Sequence, residues 1–256
     1  MKGIIMTESA QTKLAPMTTS VAKQLVPVYD KPMVYYSLAV FLLAGITEIL
    51  IIVKPKYLFH YQSLLSNGQH LGITISYAVQ AEQTSLEESI VLAEEFIDHE
   101  PVAMLQGMSL LYSTSFSEKI AASLTANKGA LLFVKEDAVH SSPLAVYDEK
   151  ATTLARHVLA TKDTTLHELY AAKHALQIVT MNQAMLTFDL SAPAGVLRAS
   201  QFIETVQQQY GCYVACLEEI AFTLGYITEK QLLKLAHNME NSAYKTYLLG
   251  VLTRSS

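Results

Sequence analysis

The stretch DKPMVYYSLAVFLLAGITEILIIV, Asp30 to Val53, holds two kinds of periodicity in one line. Asp30 and Pro32 suit a helix start and Gly45 suits a stop, so a helix is expected from Lys31 to Ala44. Directly after it, Glu48 to Val53 is a short, mostly β-branched apolar run, the mark of a strand buried on both faces. Working outward, Gly3 to Met6, Thr74 to Val79, Val102 to Leu105 and Ala130 to Lys135 read as further strands, and Ser85 to Phe96 as a further helix. Strands alternating with helices predict an α/β fold, a mainly parallel mixed sheet flanked by helices. From Val196 onward the strand signal fades and three amphipathic helical patterns follow. The expected organisation is an α/β core over residues 1–195 and a helical subdomain over 196–256.

Composition bounds the function. With 256 residues, 51% of them hydrophobic and 16% charged, the chain can bury one sizeable core, with or without a small appended subdomain. A net charge of −5, with arginines only at 156, 198 and 254, supplies no basic stripe, so no nucleic-acid partner is expected. The N-terminal apolar run is shorter than a signal peptide needs, and Met33 to Ile46 is too short to cross a bilayer. A cytoplasmic location without membrane contact is expected. Cys212 and Cys216 are too few for a disulfide framework and read as ordinary core residues. Glu87, Glu88, Glu94 and Glu95 read as a solvated helix face. The eight histidines show no HxH or HxxxH spacing for zinc.

The run VAKQLVPVYDKPMVYYSLAVFLLAGITEILII, with ISYAVQ, AEEFI, ASQFIETVQQQYG and CLEEIAF, resembles the glucose-1-phosphate thymidylyltransferases, a family of sugar-phosphate nucleotidyltransferases. The resemblance covers most of the chain. It implies a Rossmann-like core of the nucleotide-diphospho-sugar transferase type, a sugar-binding insertion, and a helical C-terminal part that helps form a homotetramer and its regulatory site. It also implies a reaction in which a sugar 1-phosphate attacks the α-phosphorus of a nucleoside triphosphate.

Set against the family motifs, the parts that stabilise that reaction are altered. The family's GGxGTR loop brings backbone N–H groups and an arginine to the triphosphate. Here the matching residues are Glu8, Ser9, Ala10, Gln11, Thr12 and Lys13: no glycine, a carboxylate in the cradle, and a point charge in place of the guanidinium fork. The family's magnesium aspartates stand in LGDN and WLDTG motifs. The first matches Gly107, Met108 and Ser109, so a thioether replaces the carboxylate; the second matches Asp189, a lone remnant. No EKP segment is found after Val146. Glu149 and Lys150 fall before its expected place, and the sugar-binding part is shortened near 146–165.

Lys23, Gln24 and Gln80 match nucleotide-contacting positions and read as remnants that either complete the fold or hold a nucleotide or nucleotide sugar weakly. The apolar run of the final stretch, with Tyr244, Tyr247, Leu248 and Val251, reads as an oligomer interface. The favoured function is a catalytically inactive homologue acting as a binding, scaffolding or regulatory subunit, with no cofactor, as a homo-oligomer or a hetero-oligomer with an active relative in nucleotide-sugar or surface-polysaccharide metabolism. The alternative is an active, Mg²⁺-dependent nucleotidyltransferase with a rebuilt site.

Overall fold

A computed structural model of the chain describes residues 1–7, 13–80, 85–113, 129–135, 142–181 and 186–254. Among these, seven strands form one sheet: β1 (Lys2–Met6), β4 (Glu48–Val53), β5 (Thr74–Val79), β6 (Val102–Gln106), β8 (Ala130–Lys135), β9 (Leu144–Tyr147) and β10 (Leu176–Met181). Their spatial order is β10-β8-β9-β6-β1-β4-β5. All neighbours pair in parallel except β9, which runs antiparallel between β6 and β8. Two small ribbons are added, β2 (Pro27–Val28) with β3 (Lys31–Pro32), and β7 (Ser109–Tyr112) with β11 (Leu186–Asp189). The expected α/β fold with a mainly parallel mixed sheet is thus observed.

Side chains alternate across each strand, so the sheet carries a core on each face. Ile5, Ile49, Ile51, Ala103 and Leu105 belong to one cluster and Ile4, Leu50, Ile52, Val102 and Met104 to the other. Helix α1 (Met33–Leu43) lies in the first cluster. Nine of its eleven residues are buried, because it is covered by the sheet and β7 on one side and by later helices on the other. It starts two residues later than its sequence suggests. Asp30 does not cap it; the carboxylate pairs with Lys31 and Gln207 instead.

Helix α2 (Leu58–Leu65) precedes β5, and the expected helix over Ser85 to Phe96 is two, α3 (Leu86–Leu92) and α4 (Glu94–Ile97), meeting at Ala93. Of its glutamates, Glu88 closes a capping box on Ser85, Glu94 pairs with Arg156, and Glu87 accepts the Leu166 N–H across 79 positions. Helices α5 (Ala151–Thr161) and α6 (Leu166–Ala172) cover the second face.

The C-terminal part holds four helices, one more than the sequence pattern predicts: α7 (Pro193–Tyr210), α8 (Leu217–Thr223), α9 (Glu229–Asn238) and α10 (Ala243–Arg254). The first begins at Pro193, ahead of the expected boundary at 196. Val196, Ile203, Leu217, Leu232 and Leu248 join the same buried cluster as α1. The helical layer therefore shares one core with the sheet. No helix is long and apolar enough to cross a membrane among the described residues.

Candidate functional site

In an open α/β sheet, ligands bind beyond the carboxyl ends of the strands where the strand order reverses. Here that point lies between β1 and β6: the chain leaves β1 for β4 and β5 on one side and returns to β6 on the other. The Met6 carbonyl ends β1 and accepts the Gly107 N–H at 3.1 Å and the Gln24 Nε2 at 3.3 Å. Gln24 comes from a single 3-10 turn, Lys23–Leu25, and is completely buried. Its Oε1 has no hydrogen-bond partner among the described residues.

The next position is Met108, only 5% exposed and part of the core cluster that faces α1. Its carbonyl accepts the Leu190 N–H at 2.8 Å, and Ser109 pairs with Asp189 across the β7–β11 ribbon. The fold thus brings the two stretches that match the family's metal motifs side by side. Asp189 faces solvent, and its Oδ1 closes a local turn by accepting the Ser191 N–H at 2.8 Å. Exposed Lys13 is tied to the same turn, its N–H donating to the Ser191 carbonyl at 2.7 Å. Glu8 to Thr12, the rest of that loop, lie outside the described residues.

Lys23 is half-buried beside Gln24. Gln80 continues β5, its N–H donating to the Val53 carbonyl at 2.9 Å. Glu149 and Lys150 are exposed in the turn that opens α5, where Lys150 N–H bonds Asp148. Residues 146–165 hold the end of β9, all of α5 and the approach to α6, with helix where the family pattern expects a sugar-lining strand.

The interface expectation is corrected for two residues. Leu248 is 0% and Val251 4% exposed, packed inside the subunit, which leaves them no surface for a neighbour. Tyr244 and Tyr247 are half-buried and donate their hydroxyls to Glu218 (2.6 Å) and Glu219 (2.7 Å) on α8. The apolar run is what docks α10 on the rest of the helical layer. Cys216 is buried and Cys212 half-buried; burial raises both thiols, Cys216 to about 12, so neither is a ready nucleophile.

Sequence reading missed two cavities. One is a small cavity of about 40 Å³ lined by Met6, Leu86, Gln106, Ser142, Tyr147 and His167. In its wall the Tyr147 hydroxyl meets His167 Nε2 at 2.7 Å, and burial holds the imidazole below its usual value and the phenol above. The signal was local: Thr165 and Glu168 form a capping box, which puts His167 in the first turn of a helix. The other is an apolar cavity of about 160 Å³ between α1, β7 and the loop before α8, with Val40, Tyr112, Cys212 and Ile220 in its wall.

A family model described as nucleotidyl transferase matches residues 2–142, more than half of the chain, including Lys13, Lys23, Gln24, Gln80 and Met108. The chain belongs to the nucleotidyl transferase family. It is 31% identical over 288 residues to the glucose-1-phosphate thymidylyltransferase of Neisseria meningitidis serogroup A, covering 99% of this chain and 100% of that one. Among solved structures it resembles a Bacillus anthracis chain described as a glucose-1-phosphate thymidylyltransferase (TM-score 0.68, 18% identity, 78% of this chain and 94% of that one). It also resembles a UDP-glucose pyrophosphorylase from Acinetobacter baumanii (TM-score 0.62, 16% identity, 82% and 98%). These structural likenesses establish the Rossmann-like nucleotidyltransferase fold.

Proposed function

We propose that this family member is catalytically inactive and serves as a binding or regulatory subunit in nucleotide-sugar metabolism. The observation that carries the reading is Met108. At the family's metal position a thioether sits 5% exposed in an apolar cluster, beyond reach as a hard-cation ligand. The fit to Mg²⁺ fails on the partner as well. Asp189 is a single carboxylate with one oxygen already engaged by Ser191, and no group of three or more His, Cys, Asp or Glu is gathered among the described residues. Lys13 offers one ammonium, without the bidentate geometry of a guanidinium.

Binding is a lesser demand than turnover. Lys23, Gln24 and Gln80 stand at the ligand end of β1, β4 and β5, which supports retention of a weak nucleotide or nucleotide-sugar ligand. For assembly, as a homo-oligomer or with an active relative, the half-buried apolar positions Leu249 and Leu252 of α10 are the candidates.

The test is to incubate the purified protein with dTTP or UTP, glucose 1-phosphate and Mg²⁺, follow pyrophosphate, and titrate dTDP-glucose by calorimetry. The expected result is no pyrophosphate above buffer, with weak or no heat of binding. Pyrophosphate release that disappears on Lys23→Ala or Asp189→Asn would establish the other reading, an active transferase with a rebuilt site.

A further inference from the structure

Lys31 is 4% exposed, and its ammonium has two kinds of neighbour. One is an anion in its own turn, Asp30 Oδ2 at 2.7 Å. The others are aromatic faces from the helical layer: Tyr213, after α7, at 4.9 Å and Tyr244, on α10, at 5.2 Å. A desolvated ammonium gains most from such faces, because water no longer competes for it. The rings are held in turn. Tyr244 donates to Glu218, and Tyr213 stands edge-on to Tyr244 at 5.1 Å and tilted against Tyr247 at 4.7 Å. Withdrawal of α10 would remove one face and the support of the other.

The far side of the same turn leads to the ligand end. Lys31 pairs with Val28 in the β2–β3 hairpin, whose base is closed by the Met33 N–H on the Val26 carbonyl at 3.1 Å, two residues from Gln24. Between them Tyr29 sits in the left-handed region at φ 58°, a strained conformation for a non-glycine residue that persists only where its surroundings impose it. Those surroundings also come from the helical layer. Ser200 Oγ accepts the Tyr29 N–H at 2.9 Å, and Gln207 Nε2 spans both Asp30 oxygens at 3.3 and 3.2 Å.

We propose that Lys31 is a latch, which couples the docking of the C-terminal helix α10 to the conformation of the stretch carrying Lys23 and Gln24. A partner that displaces α10 thereby alters the ligand end, with no contact of its own there. The coupling holds whether or not the chain turns over a substrate, so its test reads the backbone and not activity.

Hydrogen–deuterium exchange on the full chain decides it. Tyr244→Ala, which removes one aromatic face, is expected to speed exchange of the amides of residues 24–31 by about tenfold or more. In a Lys31→Met background the same change is expected to add nothing there, since the latch is already open. Should Tyr244→Ala fail to fold, Tyr244→Leu keeps the bulk without the π face and is read in the same way. Acceleration confined to residues 213–254, or equal acceleration at 24–31 with and without Lys31, would overturn the proposal.

Discussion

Gln24 and Gly107 are in direct contact at the switch point of the sheet: a Cβ added to Gly107 would fall 1.0 Å from Gln24 Nε2. The glycine is required by close approach, because the amide fills the space any side chain would need. The orientation of that amide follows from the Met6 carbonyl, which needs a donor, and this leaves the buried Oε1 without a partner among the described residues. An unpaired buried acceptor costs about 1–3 kcal/mol, and removing the amide still leaves the Met6 carbonyl the Gly107 N–H that it accepts. Gln24→Leu is therefore expected to raise stability by about 1 kcal/mol. Gly107→Ala should lower it by about 1–3 kcal/mol through overpacking, and Gln24→Ala should largely suppress that loss. Urea denaturation of the two single variants and the double variant checks the pair; an additive double variant would mean the contact is not the cause.

Met108→Asp restores the residue type of the family motif but not its surroundings. The carboxylate would enter an apolar cluster, so its pKa rises and the fold loses about 3 kcal/mol or more. The expected outcome is a lower urea midpoint and no pyrophosphate release. Substantial turnover in this single variant would show that the rest of the site is intact.

How far the sequence could be read follows from where each signal lies. Glu48–Val53 and Ala130–Lys135 emerge residue for residue because these runs are almost continuously apolar, and Thr74–Val79, at the sheet edge, because Ile75, Tyr77 and Val79 alternate. β10 escapes notice because Gln177, Ile178 and Thr180 are exposed at the sheet edge, which dilutes the pattern. β9 is short and inserted antiparallel, and β11 pairs only in a ribbon whose Leu186 is exposed. At the site, Met108 and Asp189 are legible through motif positions. The burial of Gln24 is not, since it depends on Gly107 arriving from 83 positions away. Asp30 looks like a helix cap locally and is claimed instead by Lys31 and by Gln207, 177 positions on. The tyrosines of α10 look like an outer face until their hydroxyls find α8.

His167 gives the fold a pH dependence whose sign can be worked out. Burial beside Tyr147 lowers the folded pKa below the ordinary 6.5, with Glu87 a smaller opposing influence. Above that ordinary value the imidazole is neutral in both states and contributes no slope. As pH falls below it, the unfolded chain takes up the proton first, and stability is lost until the folded pKa is reached. Partial desolvation lowers His70 too and acts in the same direction, so the comparison of variants isolates the residue. The urea midpoint of the unaltered protein should fall between pH 7 and pH 5, and fall less in His167→Gln. Parallel pH profiles for the two proteins would exclude His167 as a source.

Leu248 separates the two roles that an apolar C-terminal helix can have. Its side chain is 0% exposed in the core shared by α1 and the helical layer, so truncation leaves a cavity inside the subunit. Leu248→Ala is expected to cost about 2–5 kcal/mol by urea denaturation. The mass of the folded particle should not change, because no part of this residue faces outward to meet a neighbour. Light scattering behind gel filtration, at a temperature where the variant is folded, gives that mass directly. A fall to a smaller particle with the subunit's own unfolding midpoint unchanged would place Leu248 between subunits and overturn the packing of α10 described here. A lower midpoint at constant mass would leave assembly to the half-buried positions of α10, Leu249 and Leu252.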